Sequence, residues 1–237
     1  MAALAPLTIP ALLAARAVTW PAHGYLWLED GESKERLLTY PALERRVAAI
    51  AAGLSRRARK GDRILILLPL GLDYISAILG TAAAGMIGVP VYPPDPANQM
   101  MGLAQVKSIL DDSAPSVGLT SAGIAGLVEA AGRIEPDIAA LPWVTLDDIE
   151  AAHVGASLHC QGEPDDVAVL LYTSGSTGTP KGVMLSHANL IETAGAMAAD
   201  CRLTPQSSMC VWLPGYHVSG LFAGIILPLW VGATMVS

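Results

Sequence analysis

The sequence predicts an α/β fold of layered, mainly parallel sheets flanked by helices. Amphipathic stretches with helical spacing alternate with short, unbroken apolar runs of strand length, the order that parallel strands joined by crossover helices require. Hydrophobic residues make up 52% of the 237 and charged residues only 15%, which supplies a core and excludes disorder as a global state. No internal repeat or low-complexity linker interrupts the alternation.

The elements follow in order. Leu43, Val47, Ile50 and Leu54 recur on one helical stripe, with Glu44, Arg45, Arg56 and Arg57 off it; this predicts an amphipathic helix ending near Lys60-Gly61. Ile64 to Leu68 is a continuous apolar run, the signature of a strand buried on both faces. Asp73 to Ala84 returns to a helix, and Val89-Pro90-Val91 to a short strand ended by the rigid Tyr92-Pro93-Pro94. Leu103, Val106, Ile109 and Leu110 mark a helix stopped before Pro115, Ser116 to Thr120 a strand, and Ile124 to Ala131 a helix. Ala151 to Pro164 is polar and irregular, and separates sub-regions of about 1–160 and 161–237. Beyond it come a strand over Val167 to Leu171, a glycine-rich loop, and a helix from about His187 to Ala199. A strand over Met209 to Leu213, a helix from about Val218 and a strand over Ala233 to Val236 complete the chain. An apolar strand seldom closes a domain with nothing to cover it, so the sequence reads as a truncated chain.

Composition removes several function classes. A net charge of −7 argues against a nucleic-acid partner. The one dense basic run, Arg56-Arg57-Ala58-Arg59-Lys60, reads as the solvated end of a helix, where positive charge suits the dipole. Cys160, Cys201 and Cys210 have no metal-ligand spacing and leave one unpaired, which fits a reducing cytoplasm. Met1 to Ala15 has no positive residue ahead of its apolar stretch and carries prolines at 6 and 10, unlike a signal peptide. Leu203 to Ser237 has no Asp, Glu, Lys or Arg, and Val218 to Val236 is long enough to cross a bilayer. Pro228 falls mid-run, however, Gly220, Gly224 and Gly232 punctuate it, and no basic cluster flanks it. A buried helix followed by a buried strand accounts for the same residues, so no stable membrane span is expected.

Thr173-Ser174-Gly175-Ser176-Thr177-Gly178-Thr179-Pro180-Lys181-Gly182 carries most of the chemistry. Glycine lets a loop turn tightly and approach a ligand with its backbone, and successive N–H groups in such a turn form an anion-binding concavity. Hydroxyls add donors, and Lys181 a mobile positive charge. The segment is built to hold phosphate. It is not a Walker loop, because the second glycine would fall on Pro180 and Lys181 is followed by Gly182; nor is there a G-x-G-x-x-G.

Tyr172 to Gly182 resembles the phosphate loop of the adenylate-forming enzymes, which include acyl- and aryl-CoA ligases, luciferases, amino-acid adenylation domains and fatty acyl-AMP ligases. Nearly the whole chain takes part in the resemblance: Leu38-Thr39-Tyr40-Pro41-Ala42-Leu43, Gly61-Asp62-Arg63-Ile64, Ser186-His187-Ala188-Asn189-Leu190 and Trp212-Leu213-Pro214-Gly215-Tyr216-His217 all match. Leu28 to Glu32, Pro69 to Tyr74 and Ala84 to Pro94 are most similar to the fatty acyl-AMP ligase branch. The resemblance implies the first part of such an enzyme's large N-terminal domain over 1–237. It also places the acidic Mg²⁺ residue, the ribose-binding aspartate and the small C-terminal domain with its catalytic lysine beyond these residues.

The resemblance further implies the site. Thr173, Ser174, Gly175, Ser176, Thr177 and Gly178 would face the phosphates of ATP, Thr177 would contact Mg²⁺, and Lys181 would offset phosphate charge. Tyr216, His217 and Gly220 would lie by the substrate, with His217 as the catalytic group orienting its carboxylate. Amino-acid adenylation domains place an aspartate after an aromatic residue here; with His217 in that place a buried substrate ammonium would lack a counter-charge. Leu221, Phe222, Ile225, Ile226 and Leu227 suit an aliphatic chain and equally suit plain core. The implied reaction activates a fatty acid to its acyl-adenylate for transfer to the phosphopantetheine thiol of an acyl carrier protein. Fatty acyl-AMP ligases continue with Asp and Met after this histidine, whereas Val218 and Ser219 follow here, as in acyl- or aryl-CoA ligases with coenzyme A as acceptor. A non-catalytic nucleotide-binding fragment is the remaining alternative. His187, at a helix start, is expected to be structural.

Overall fold

A computed structural model of the chain describes residues 8–93, 99–173 and 180–237. Its elements are α1 (Ile9–Thr19), β1 (Gly24–Leu28), β2 (Glu35–Thr39), α2 (Tyr40–Leu54), β3 (Arg63–Leu67), α3 (Leu72–Ala83), β4 (Ile87–Val91), α4 (Gln99–Ser113) and β5 (Val117–Thr120). Then come α5 (Ala125–Ile134), α6 (Pro136–Ala140), β6 (Trp143–Thr145), α7 (Leu146–Ala152), β7 (Val167–Thr173), β8 (Lys181–Ser186), α8 (His187–Asp200) and β9 (Ser208–Cys210). Last are α9 (Val218–Leu221), a π-helical turn over Phe222–Ile226, α10 (Leu227–Val231) and β10 (Thr234–Val236).

Two sheets form. The larger has the order β6-β5-β3-β4-β7-β8, parallel throughout except for the antiparallel edge strand β8. The smaller runs β2-β1-β10-β9, with β1, β10 and β9 parallel and β2 antiparallel. Strands from both sides of the irregular stretch 153–166 enter each sheet.

Alternation along β3 shows why the larger sheet is buried on both faces. Ile64 and Ile66 enter a core shared with α1, α2, α3, α8 and the inner face of the smaller sheet. Leu65 and Leu67 enter a second core beneath α4, α5 and α6. The layers are therefore helices, six-stranded sheet, helices, four-stranded sheet, and a period-2 strand feeds both cores at once.

Several boundaries differ from the sequence expectation. The helix expected to run to Lys60 ends at Leu54, its last stripe position, and Arg57 folds back so that Nη1 donates to the Gly53 carbonyl at 2.9 Å. The expected strand Met209 to Leu213 pairs only over Ser208–Cys210, because its partner β10 is three residues long; Trp212 and Leu213 are exposed. The apolar C-terminal stretch forms a buried helical segment and a strand, and none of the described helices is long and apolar enough to cross a membrane.

Tyr40 explains the early Leu-Thr-Tyr segment. Fully buried at the start of α2, its hydroxyl lies 2.7 Å from the Ala233 carbonyl and 2.9 Å from that of Pro228. It thereby ties α2 to the turn between α10 and β10. Tyr25 stands edge-on to it and donates to the Ile225 carbonyl in the π-helical turn at 2.6 Å. Tyr40→Phe is expected to cost about 1–2 kcal/mol, the usual loss for a buried hydroxyl whose acceptor keeps no replacement. Urea denaturation reads that as a lower midpoint at unchanged slope.

Candidate active site

The cleft begins where β4 and β7, neighbours in the sheet but far apart in sequence, end on the same side. Ligands of open parallel sheets bind at such carboxyl ends. Beyond β4 stands Tyr92. At the end of β7, Tyr172 donates its hydroxyl to Asp112 of α4. Burial first, and then the Asp112 carboxylate, hold that phenol well above its ordinary pKa.

Tyr216 and His217 close the cleft from the other side. The Tyr216 ring lies 4.9 Å from Tyr92 and 5.2 Å from the His217 imidazole, centroid to centroid. Tyr216 is half-buried, and burial raises its pKa; His217 is exposed. His217 is held by its own backbone: its N–H donates to Pro214 O at 3.0 Å, and its carbonyl accepts from Leu221 N at 2.9 Å as the N-cap of α9. With Val91, Gln105, Val106 and Tyr172, these residues enclose a cleft of about 350 Å³. A larger concavity of about 570 Å³ lies along the far edge strand β6, lined by Arg57, Trp143 and Asp148, and none of the expected site residues reaches it.

Ser174, Gly175, Ser176, Thr177 and Gly178, expected from the sequence to bind phosphate, lie outside the described residues. Their flanks are described: Thr173 and Lys181 face each other as the last pair of the β7–β8 ladder, so the glycine-rich segment departs from and returns to the carboxyl end of β7. Lys181 is exposed and makes no ion pair among the described residues. Gly220 does not line the cleft. It is buried beneath the Leu213–Pro214 backbone, beside a small apolar pocket of about 20 Å³ with Leu70, Ile75 and Ile225.

Among the lining residues given no site role by the sequence reading, three carry polar side chains: Tyr92, Gln105 and Tyr172. For Tyr92 and Tyr172 a usable signal existed, since each directly ends an apolar strand run. Gln105 left none, being one polar residue among many on α4. His187 has the structural place expected of it. It is 1% exposed, and its Nδ1 accepts the Ile9 N–H at 3.3 Å, anchoring the start of α1. Among the described residues no cluster of His, Cys, Asp or Glu has the makings of a metal site.

Comparison with known proteins agrees with this geometry. The model of the AMP-binding enzyme family matches residues 14–237. JamA of Moorena producens, a medium-chain-fatty-acid–[acyl-carrier-protein] ligase, is 35% identical over 209 residues, covering 88% of this chain and 35% of the relative. The long-chain-fatty-acid–AMP ligase FadD23 of Mycobacterium tuberculosis is 36% identical over 212 residues, covering 86% and 35%. The crystal structure of a fatty acyl-adenylate ligase from L. pneumophila, in complex with acyl adenylate and pyrophosphate, superposes with a TM-score of 0.84 at 32% identity, over 97% of this chain and 39% of that one. The chain thus spans about a third of the length of the curated relatives it matches.

Proposed function

The chain belongs to the AMP-binding enzyme family, and we propose that it forms part of a ligase that activates a fatty acid with ATP, the acyl group passing from the adenylate to a carrier-protein phosphopantetheine thiol. The observation that carries this reading is the meeting, at the carboxyl ends of β4 and β7, of the strand pair that brackets the glycine-rich loop with the Tyr216–His217 wall. The proposal covers the site roles and a cytoplasmic location as well.

In this reading a substrate carboxylate oxygen attacks the α-phosphorus of ATP, a P–O bond forms, and pyrophosphate leaves with the electrons of the broken bond. The reaction asks the protein mainly for alignment and for neutralisation of phosphate charge. Thr173 to Gly178 supply backbone and hydroxyl donors to the phosphates, Lys181 a compensating charge, and His217 and Tyr216 orient the carboxylate. Mg²⁺, when bound, offsets the charge on the polyphosphate. Of the residues discussed here, Thr177 would help to hold it through its hydroxyl oxygen.

The coenzyme A alternative keeps a specific observation in its favour, the Val218-Ser219 that follows His217. A fatty acid is favoured over an amino acid under either acceptor, because the cleft offers Tyr92, Tyr172, Tyr216 and His217 but no carboxylate among its described lining residues to meet an ammonium.

The test is calorimetric titration of the chain with ATP·Mg²⁺, and separately with dodecanoate and with amino acids. Binding of ATP should be lost, at unchanged thermal stability, in the triple variant Ser174→Ala, Ser176→Ala, Thr177→Ala. Dodecanoate should bind in preference to every amino acid. Equal ATP binding by the folded triple variant removes the loop from the mechanism, and preference for an amino acid removes the fatty-acid reading.

A further inference from the structure

Tyr74, in the first turn of α3, is 1% exposed, and its hydroxyl has no hydrogen-bond partner among the described residues. A buried phenol left unpaired is costly, and phenylalanine would fill the same space without that cost. Two other hydroxyls share its condition, Thr81 in the last turn of α3 and Thr120 at the end of β5. Only Tyr74 lies against the candidate active site. Its ring presses on Gly215 so closely that a β-carbon there would come within 2.6 Å of Tyr74 Cε1. Cε1 adjoins the carbon that bears the hydroxyl, so the unpaired group sits directly beneath the Pro214–His217 turn. Burial, and then the neighbouring Tyr216 phenol, keep Tyr74 neutral and therefore a donor. Tyr216 directly follows Gly215, on which the Tyr74 ring rests, and the two hydroxyls are not bonded to each other.

Resting on the fatty-acid reading above, we propose that Tyr74 is a positioning residue: in the liganded state its hydroxyl donates to the Tyr216 hydroxyl, which in turn donates to the substrate carboxylate. An anion at the end of such a chain strengthens both bonds, because each donor polarises the next. In the free chain the chain of donors is broken, and the unpaired Tyr74 hydroxyl is a destabilisation carried for the sake of the bound state. Tyr74 touches no substrate itself. It sets the direction of the Tyr216 proton from below the turn.

A double-mutant cycle on the 237-residue chain separates this role from packing. Dodecanoate affinity and thermal midpoint are measured for the wild type, Tyr74→Phe, Tyr216→Phe and the double variant. Tyr74→Phe should weaken dodecanoate binding about tenfold, the scale of one charge-assisted hydrogen bond, while its midpoint stays level or rises. In the Tyr216→Phe background the same change should have no further effect. Unchanged affinity in Tyr74→Phe overturns the inference. So does an equal loss with or without the Tyr216 hydroxyl, or a midpoint lowered by several degrees, which would mean that the hydroxyl is already bonded in the free chain. A wild type that binds no dodecanoate overturns the fatty-acid reading itself, and the inference with it.

Discussion

Gly220→Ala is expected to destabilise the chain by at least about 3 kcal/mol, the upper range for overpacking a site that has no room to yield. A β-carbon at position 220 would lie 2.0 Å from Pro214 O and 2.7 Å from Leu213 O. Both are backbone atoms, so no side-chain rotation relieves the clash. Either α9 lifts away or the Leu213–Pro214 backbone is pushed out, and with it the turn that positions Tyr216 and His217. Urea denaturation should show the loss of stability, and dodecanoate binding should weaken in the fraction that still folds. A variant as stable as the wild type would mean that the close approach is not a feature of the folded chain. Conformational freedom is not the issue at this residue. Glycine is required because two backbones touch.

The second expectation concerns pH. Burial pushes the His187 pKa down to about 4, with the Asp166 carboxylate opposing that shift and Lys60 adding to it. Unfolded, the imidazole titrates near 6.5. Between those values the unfolded chain binds a proton that the folded chain refuses, so stability rises with pH across that window. The contribution of His187 is complete above about pH 6.5 and is lost as pH falls through 4. Its size is about 3 kcal/mol, from the two pKa values and 1.36 kcal/mol for each tenfold step. His187→Asn retains an acceptor for the Ile9 N–H but does not titrate. Denaturation midpoints measured from pH 7 to 4 should therefore fall less steeply in the variant. Parallel slopes in the two proteins would show that the imidazole titrates alike in both states.

Much of this fold is readable along the chain, for a reason local to each segment. β3, β5 and β7 are continuous apolar runs because parallel strands covered on both faces have no solvent side to encode. α2 and α8 show their stripes because each buries one face at helical spacing, whereas α3 is buried all round and is apolar along nearly its whole length. α1, β1, α6 and α7 went unread although they bury apolar residues. In three further strands neither signal can form. β2 and β8 are edge strands with largely exposed residues, and β6 is only three residues long. The glycine-rich loop stood out by residue type, and the Tyr216–His217 pair through its resemblance to the adenylate-forming enzymes. Tyr92 and Tyr172 went unassigned because the end of an apolar strand run does not say which strand ends share one cleft.

By itself the sequence determined the fold class and the parallel core strands, which rest on residue type and spacing within single segments, and the family, which rests on motifs spread along the chain. The tertiary structure alone decided that β4 lies beside β7, although residues 92–166, with the strands β5 and β6, separate the two in the chain. It placed Tyr92, Tyr172 and Tyr216 around one cleft, set Gly220 against the Leu213–Pro214 backbone, and left the Tyr74 hydroxyl under the turn without a partner among the described residues. Strand order and hydrogen-bond satisfaction are settled by packing between segments distant in sequence, and a periodicity of two or of 3.6 residues carries no record of which distant segment will arrive.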